Sequence, residues 1–215
     1  MEETTRTYAA LFDLDGVIID TETQYTIFWD MIGRQYLGQI DFGSRIKGAT
    51  LPAIYAAYFA GIPHKQPEIT AALNAFESQM KKDYIPGFRE FFASLKARGW
   101  KTAIVTSSNR PKMQSVYRDC PKLASLFDCI LTQECFERSK PHPDPYLKGA
   151  AALHMPIERC AVFEDSINGL KSGRSAGMKV IGLTTTNSAD AVQPYADLVI
   201  PDFTAARAAD IEALF

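Results

Sequence analysis

Short apolar runs that end in polar residues recur along the chain. Residues 8–14 (YAALFDL) form one, closing on Asp13, Asp15 and Gly16, and predict a buried strand that delivers carboxylates to its C-terminal tip. Residues 101–105 run into Thr106-Ser107-Ser108, residues 129–131 into Thr132, and residues 160–163 into Glu164-Asp165. Residues 179–183 and 198–200 predict two further strands. Helical periodicity fills the spaces between, over residues 87–98, 110–118, 143–153 and 167–176, with a closing helix over 205–214. Strands alternating with helices give an α/β fold, a Rossmann-like parallel sheet with helices on both faces. In such sheets ligands bind beyond the carboxyl ends of the strands, where the polar residues would converge.

The alternation is interrupted once. From Thr21 to Tyr84 the apolar positions, such as Ile27, Phe28, Met31 and Ile32, repeat only at helical spacing. The chain therefore divides into a catalytic core, residues 1–20 and 86–215, and an inserted all-helical domain, residues 21–85. Ile85-Pro86-Gly87 punctuates the exit from the insertion, because proline restricts its predecessor and glycine frees the position after it.

Composition removes several classes of function. The 215 residues are 47% hydrophobic and 22% charged, with a formal net charge of −2 and no long Lys/Arg run, so the basic field that nucleic-acid phosphates require is missing. The four cysteines have no C-x-x-C spacing and no accompanying histidine pair, which argues against a zinc site. The acidic Met1-Glu2-Glu3 start is unlike a secretory signal, and no apolar run approaches the roughly 18 residues of a membrane span. A cytoplasmic protein with no membrane or nucleic-acid partner is expected. It is also expected to be a monomer, since no heptad seam or self-pairing strand is visible.

Asp13-x-Asp15-Gly16 places two carboxylates at alternate positions directly after a strand, which alone would put both on one face. Asp-Gly is also a favoured hairpin turn, although a helical pattern rather than a second strand follows here. Carboxylates held together repel unless a cation or a shared proton intervenes, and magnesium, a hard ion that takes carboxylate, phosphate and water oxygens, is the expected partner. The metal would keep one carboxylate ionised as a nucleophile while its neighbour carries a proton. Glu164-Asp165 offers further metal oxygens, with helix capping as the alternative. Thr106-Ser107-Ser108-Asn109 precedes a helix whose first turn carries roughly half a positive charge and attracts phosphate, although a plain N-cap accounts for it as well. Lys140 sits among three prolines (SKPHPDP), either as a stiffly held phosphate partner or as an exposed loop lysine.

Taken together these residues resemble the haloacid dehalogenase superfamily, in the branch of phosphoglucomutase-like and sugar-phosphate phosphatases with a small helical cap. Residues 12–22 (FDLDGVIIDTE) look like the first motif, Thr106 the second, Lys140 in Lys-Pro-x-Pro the third and Glu164-Asp165-Ser166 the fourth. The resemblance covers nearly the whole chain. It implies that Asp13 attacks phosphorus and that Asp15 protonates the leaving oxygen and later activates water. Leu14, Thr106, Ser107 and Lys140 would bind the phosphoryl group. Magnesium would sit between Asp13, the backbone carbonyl of Asp15 and Asp165, with Glu164 supporting it through water. Thr21, Glu22 and the Lys47-Gly48 loop match cap segments that face the active site in this branch, and Ser108 and Asn109 could reach the rest of a small phosphorylated metabolite.

Two departures bear on the reaction. Phosphoglucomutase relatives carry a histidine soon after the first motif and an arginine after the Lys-Gly loop, where this chain has Gln24-Tyr25 and Leu51. Those residues protect the aspartyl phosphate from water in a mutase, so their absence favours a phosphatase over a sugar-phosphate mutase. No candidate Schiff-base lysine or dehalogenase pattern supports phosphonate or haloacid chemistry. A non-catalytic binding module, which any fold can become, would have no use for both Asp13 and Asp15.

Overall fold

A computed structural model of the chain describes residues 7–47, 49 and 51–215. Six strands form one sheet: β1 (Ala9–Phe12), β2 (Lys101–Val105), β3 (Cys129–Leu131), β4 (Cys160–Glu164), β5 (Lys179–Leu183) and β6 (Leu198–Ile200). Their order across the sheet is β3-β2-β1-β4-β5-β6, and every pairing is parallel. The chain moves outward from β1 to β2 and β3, then returns to place β4 on the other side of β1. The order thus reverses at β1, which marks the crevice beyond its carboxyl end as the place for a ligand.

The strands are continuous apolar runs because both faces of the sheet are covered. Side chains alternate along each strand. Ala10 and Phe12 of β1, with Ile104, Ala161 and Phe163, enter one apolar layer, while Ala9 and Leu11, with Ala103, Val105, Cys160 and Val162, enter the other. The first layer is aromatic: Phe12 stacks on Phe163 at 4.4 Å between ring centroids and meets Phe88 edge-on at 5.7 Å. The helix Phe88–Ala97 buries Phe88, Phe91, Phe92 and Leu95, the one-face spacing of an amphipathic helix. Each such side chain stabilises the fold by about 1.5–3 kcal/mol. On the opposite layer the helix Asp144–Ala152 comes so close that a Cβ at Gly149 would lie 2.5 Å from Leu11 Cδ2.

Asp20–Asp83 is a separate compact unit, and residues up to Ile19 with Tyr84–Phe215 form the other. Its helices are Glu22–Ile32, Phe42–Arg45, Leu51–Tyr58 and Gln66–Gln79, with a π-helical turn at Gly33–Leu37. Phe28, Trp29, Ile32, Phe42, Ile54, Phe59 and Ile69 make its core. Tyr84 and Ile85 belong to the sheet unit instead, because Ile85 is buried in the aromatic layer and its N–H donates to the Ile18 carbonyl at 3.0 Å. The closing helix is shorter than its periodicity predicts, Ala208–Glu212, since Phe203 to Ala206 is taken up by a turn. No helix among the described residues is long and apolar enough to cross a membrane.

Candidate active site

The carboxyl ends of β1, β2 and β4 bring the acidic and basic groups of the core together. Asp13 follows β1 and is fixed by its own backbone, whose N–H donates to the Phe163 carbonyl at 3.0 Å. The chain then turns at Gly16 with φ +73°, and the N–H groups of Ile18 and Ile19 return to the Leu14 carbonyl at 2.9 and 3.0 Å. The Asp-Gly pair therefore makes a compact loop and not a hairpin, since β1 has only parallel neighbours. Leu14 is buried, and its side chain belongs to the aromatic layer.

Lys140 is the cation of this rim. Only 6% of its side chain is exposed, and its ammonium donates to Asp13 Oδ1 at 2.6 Å, Glu164 Oε1 at 2.6 Å and the Val105 carbonyl at 2.9 Å. The Lys140-Pro141 peptide is cis. Tyr146, on the helix Asp144–Ala152, donates its hydroxyl to the same Glu164 oxygen at 2.8 Å. The other oxygen, Oε2, accepts from the Asp165 and Ser166 N–H groups and the Ser166 hydroxyl at 3.1–3.2 Å. Glu164 is fully buried, and the glycine at 169 makes room for it, because a Cβ there would lie 1.8 Å from Oε1.

Burial dominates the electrostatics. It pushes the Asp13 carboxyl up to about 7, with Glu164 adding to the rise and Lys140 opposing it. Lys140 is raised as well: burial disfavours its charge, yet Asp13 and Glu164 together hold it protonated beyond the ordinary lysine range. Burial and the Glu164 charge raise Tyr146 well above its usual value, so it stays a hydroxyl donor.

Asp15 is held from the β2 side. Its Oδ2 accepts from Ser108 Oγ at 3.0 Å and from Lys112 Nζ at 2.7 Å. Thr106 is buried at the end of β2, and its hydroxyl accepts from the Ser108 N–H at 3.0 Å. Ser107 is exposed. Asn109 is the N-cap of the helix Arg110–Asp119, its side chain accepting from the Lys112 N–H, and Ser166 caps the helix Ile167–Ser175 through the Gly169 N–H. Asp165 is 3% exposed, accepts from the Thr186 hydroxyl through Oδ2, and accepts from Asn187 Nδ2 through its carbonyl at 2.9 Å.

Asp13, Glu164 and Asp165 present carboxylate oxygens within 4.8 Å of one another. Three carboxylates around one ammonium leave a double negative charge on hard oxygen donors, the chemistry that suits a magnesium ion. Burial is the main cause of the upward displacement of Asp13, and the neighbouring Glu164 and Asp15 carboxylates add to it.

Thr21 and Glu22 lie in the helical unit, Thr21 buried at the start of the helix Glu22–Ile32. Glu22 and Lys47 line one cavity of about 280 Å³ within that unit, beside Tyr25, Trp29 and Glu77. Gly48 lies outside the described residues. Sequence reasoning missed Lys112, Tyr146, Thr186 and Asn187. Tyr146 reads as a core position of an amphipathic helix. The run Thr184-Thr185-Thr186-Asn187 carried a usable signal, as a polar stretch after a strand like the others at this rim.

A doubly wound parallel α/β fold with its charged groups gathered at the strand ends defines an enzyme-like class. Residues 10–183 match the family described as haloacid dehalogenase-like hydrolase, and the chain belongs to that family. It is 30% identical over 207 residues to validoxylamine A 7'-phosphate phosphatase of Streptomyces hygroscopicus, covering 92% of this chain and 95% of that one. It is also 30% identical over 203 residues to glycerol-1-phosphate phosphohydrolase 2 of Saccharomyces cerevisiae, covering 85% and 76%. Among solved structures it is similar to a hydrolase of the same family from Deinococcus radiodurans with bound phosphate and sodium, at TM-score 0.78, 26% identity and 96% coverage of each chain.

Proposed function

We propose that the chain is a magnesium-dependent phosphatase of small phosphate monoesters, sugar or polyol phosphates in particular, working through an aspartyl phosphate on Asp13. The observation that carries this reading is the convergence of Asp13, Lys140 and Asp165 on one rim of the sheet, with Asp15 beside them on the same loop. The named phosphatase relatives support the same class of substrate.

In the first step an Asp13 oxygen forms a bond to phosphorus as the bond from phosphorus to the ester oxygen breaks, and Asp15 gives its proton to that oxygen. In the second step Asp15 takes a proton from water, the water oxygen bonds to phosphorus, and the bond to Asp13 breaks to release phosphate. Lys140 and Thr106 orient the phosphoryl group, and Lys140 balances its charge. Asp13, Asp165 and the Asp15 carbonyl, with Glu164 in support, would hold the magnesium ion, which would supply further charge neutralisation. The Thr21, Glu22, Lys47 and Gly48 segments of the helical unit serve substrate selection in this reading.

Hydrolysis is favoured over the sugar-phosphate mutase alternative by what stands at the two departing positions. The Gln24 amide is committed to the base of the helical unit, donating to the Asp20 and Lys81 carbonyls and accepting from the Lys81 N–H at 2.9–3.1 Å. Leu51 offers no charge or donor. A chromogenic phosphate ester assayed with and without magnesium tests the proposal: turnover that vanishes in EDTA and in Asp13→Asn is expected. Full activity in EDTA would contradict the metal assignment, and full activity in Asp13→Asn would contradict the nucleophile.

A further inference from the structure

The loop that follows β5 sends three consecutive side chains toward the acidic rim. Thr185 Oγ1 donates to the Gly16 carbonyl at 2.6 Å, Thr186 Oγ1 to Asp165 Oδ2, and Asn187 Nδ2 to the Asp165 carbonyl. The first reaches the loop after β1, and the other two reach the loop after β4. Gly16 belongs to the same packed group: a Cβ on it would lie 2.0 Å from Asp165 Oδ2 and 3.1 Å from Thr186 Oγ1. One strand end thus ties down both acidic loops, and it does so at a buried carboxylate, with Asp165 3% and Thr186 8% exposed.

The donor type matters as much as the contact. Lys140 shares its positive charge between Asp13 and Glu164. A threonine hydroxyl and an asparagine amide fix the attitude of Asp165 while leaving its negative charge in place. Magnesium demands near-ideal octahedral geometry, so a carboxylate that is to receive it must be held in one orientation. Hydrogen-bond partners of ligating groups supply that orientation, and losing one weakens metal binding by about 10–100-fold.

We infer that Thr186 and Asn187 are positioning residues for the metal carboxylate, acting on magnesium through Asp165 without touching the substrate. This rests on the magnesium-dependent reading above. Thr186→Val keeps the shape of the side chain and removes the donor, Thr186→Ser keeps the donor, and Asn187→Ala removes the hold on the main chain. Magnesium titrated into each protein by calorimetry, without substrate, gives the deciding affinities.

The expected result is a dissociation constant raised by about 10–100-fold in Thr186→Val and by at least several-fold in Asn187→Ala, with Thr186→Ser restored to within about threefold of the unmodified chain. Chromogenic turnover in Thr186→Val should return toward its original kcat once magnesium is saturating. Unchanged magnesium affinity in a folded Thr186→Val protein would overturn the inference. Should that variant not fold, unchanged affinity in Asn187→Ala would overturn it instead. An unmodified chain that binds no magnesium would remove the metal reading itself, a different failure visible in the first titration.

Discussion

The two halves of the acidic rim are stabilised by different means. Asp13 and Glu164 share a single buried ammonium, with Tyr146 completing the set, whereas Asp165 is gripped by a hydroxyl and an amide. The charged half depends on electrostatic balance, so removing its ammonium leaves uncompensated charge in a dry place. The neutral half depends on orientation, so its loss is felt in what the carboxylate can bind more than in whether the chain folds. Glu164 and Asp165 are consecutive residues at the end of β4, so the two kinds of support meet on one strand.

The largest effect is expected at the charged half. Lys140→Met should abolish turnover and destabilise the metal-free chain by about 3–5 kcal/mol in urea unfolding at pH 8, because Asp13 and Glu164 lose their shared cation. The loss should shrink near pH 6, where Asp13 takes up a proton. A Lys140→Met protein as stable as the original at pH 8 would break the distinction between the halves.

Tyr146→Phe should cost about 1.5–3 kcal/mol, the value of a hydrogen bond to a charged group, while Glu164 keeps Lys140 and its backbone donors. Turnover should survive in this variant, measured with the chromogenic ester.

The smallest effect has the opposite sign. Burial raises Asp13 from the ordinary carboxylate range to about 7, so between those values the folded chain binds the proton that the unfolded chain has released. Stability of the metal-free protein should therefore fall as pH rises from about 4 to about 7, and level off above. Asp13→Asn removes that slope and should stabilise the metal-free chain at pH 8 by about 1 kcal/mol, since the relief of burying a charge is partly offset by a weaker bond to Lys140. A stability that rises with pH across this range, attributable to Asp13, would reverse the assignment.

Much of this was legible because parallel strands buried on both faces write themselves as unbroken apolar runs, and their polar ends stand out against them. Asp13, Asp15, Thr106, Glu164 and Asp165 all follow such runs. The partners that fix these groups were harder to see. Tyr146 occupies a buried face of its helix, where periodicity registers an apolar body and is silent about the hydroxyl. Lys112 lies in the first turn of its helix, and helical side chains lean toward the N-terminus, which carries its ammonium back to Asp15. Thr186 and Asn187 meet Asp165 only through the sheet order, which sets β5 beside β4 and which no local pattern records. The π-helical turn at Gly33–Leu37, closed by Gly38 at φ +64°, likewise has no distinct periodic signature.

The claim that Asp13 accepts the phosphoryl group is tested most directly in Asp15→Asn with a nitrophenyl phosphate. Nitrophenolate leaves with little need of an acid, so the first step should proceed while the second, lacking its base, stalls. A burst of nitrophenolate close to one equivalent per chain is expected, with a phosphoryl adduct on the peptide that contains Asp13 in acid-quenched mass spectra. Steady turnover with no burst and no adduct on that peptide would contradict it.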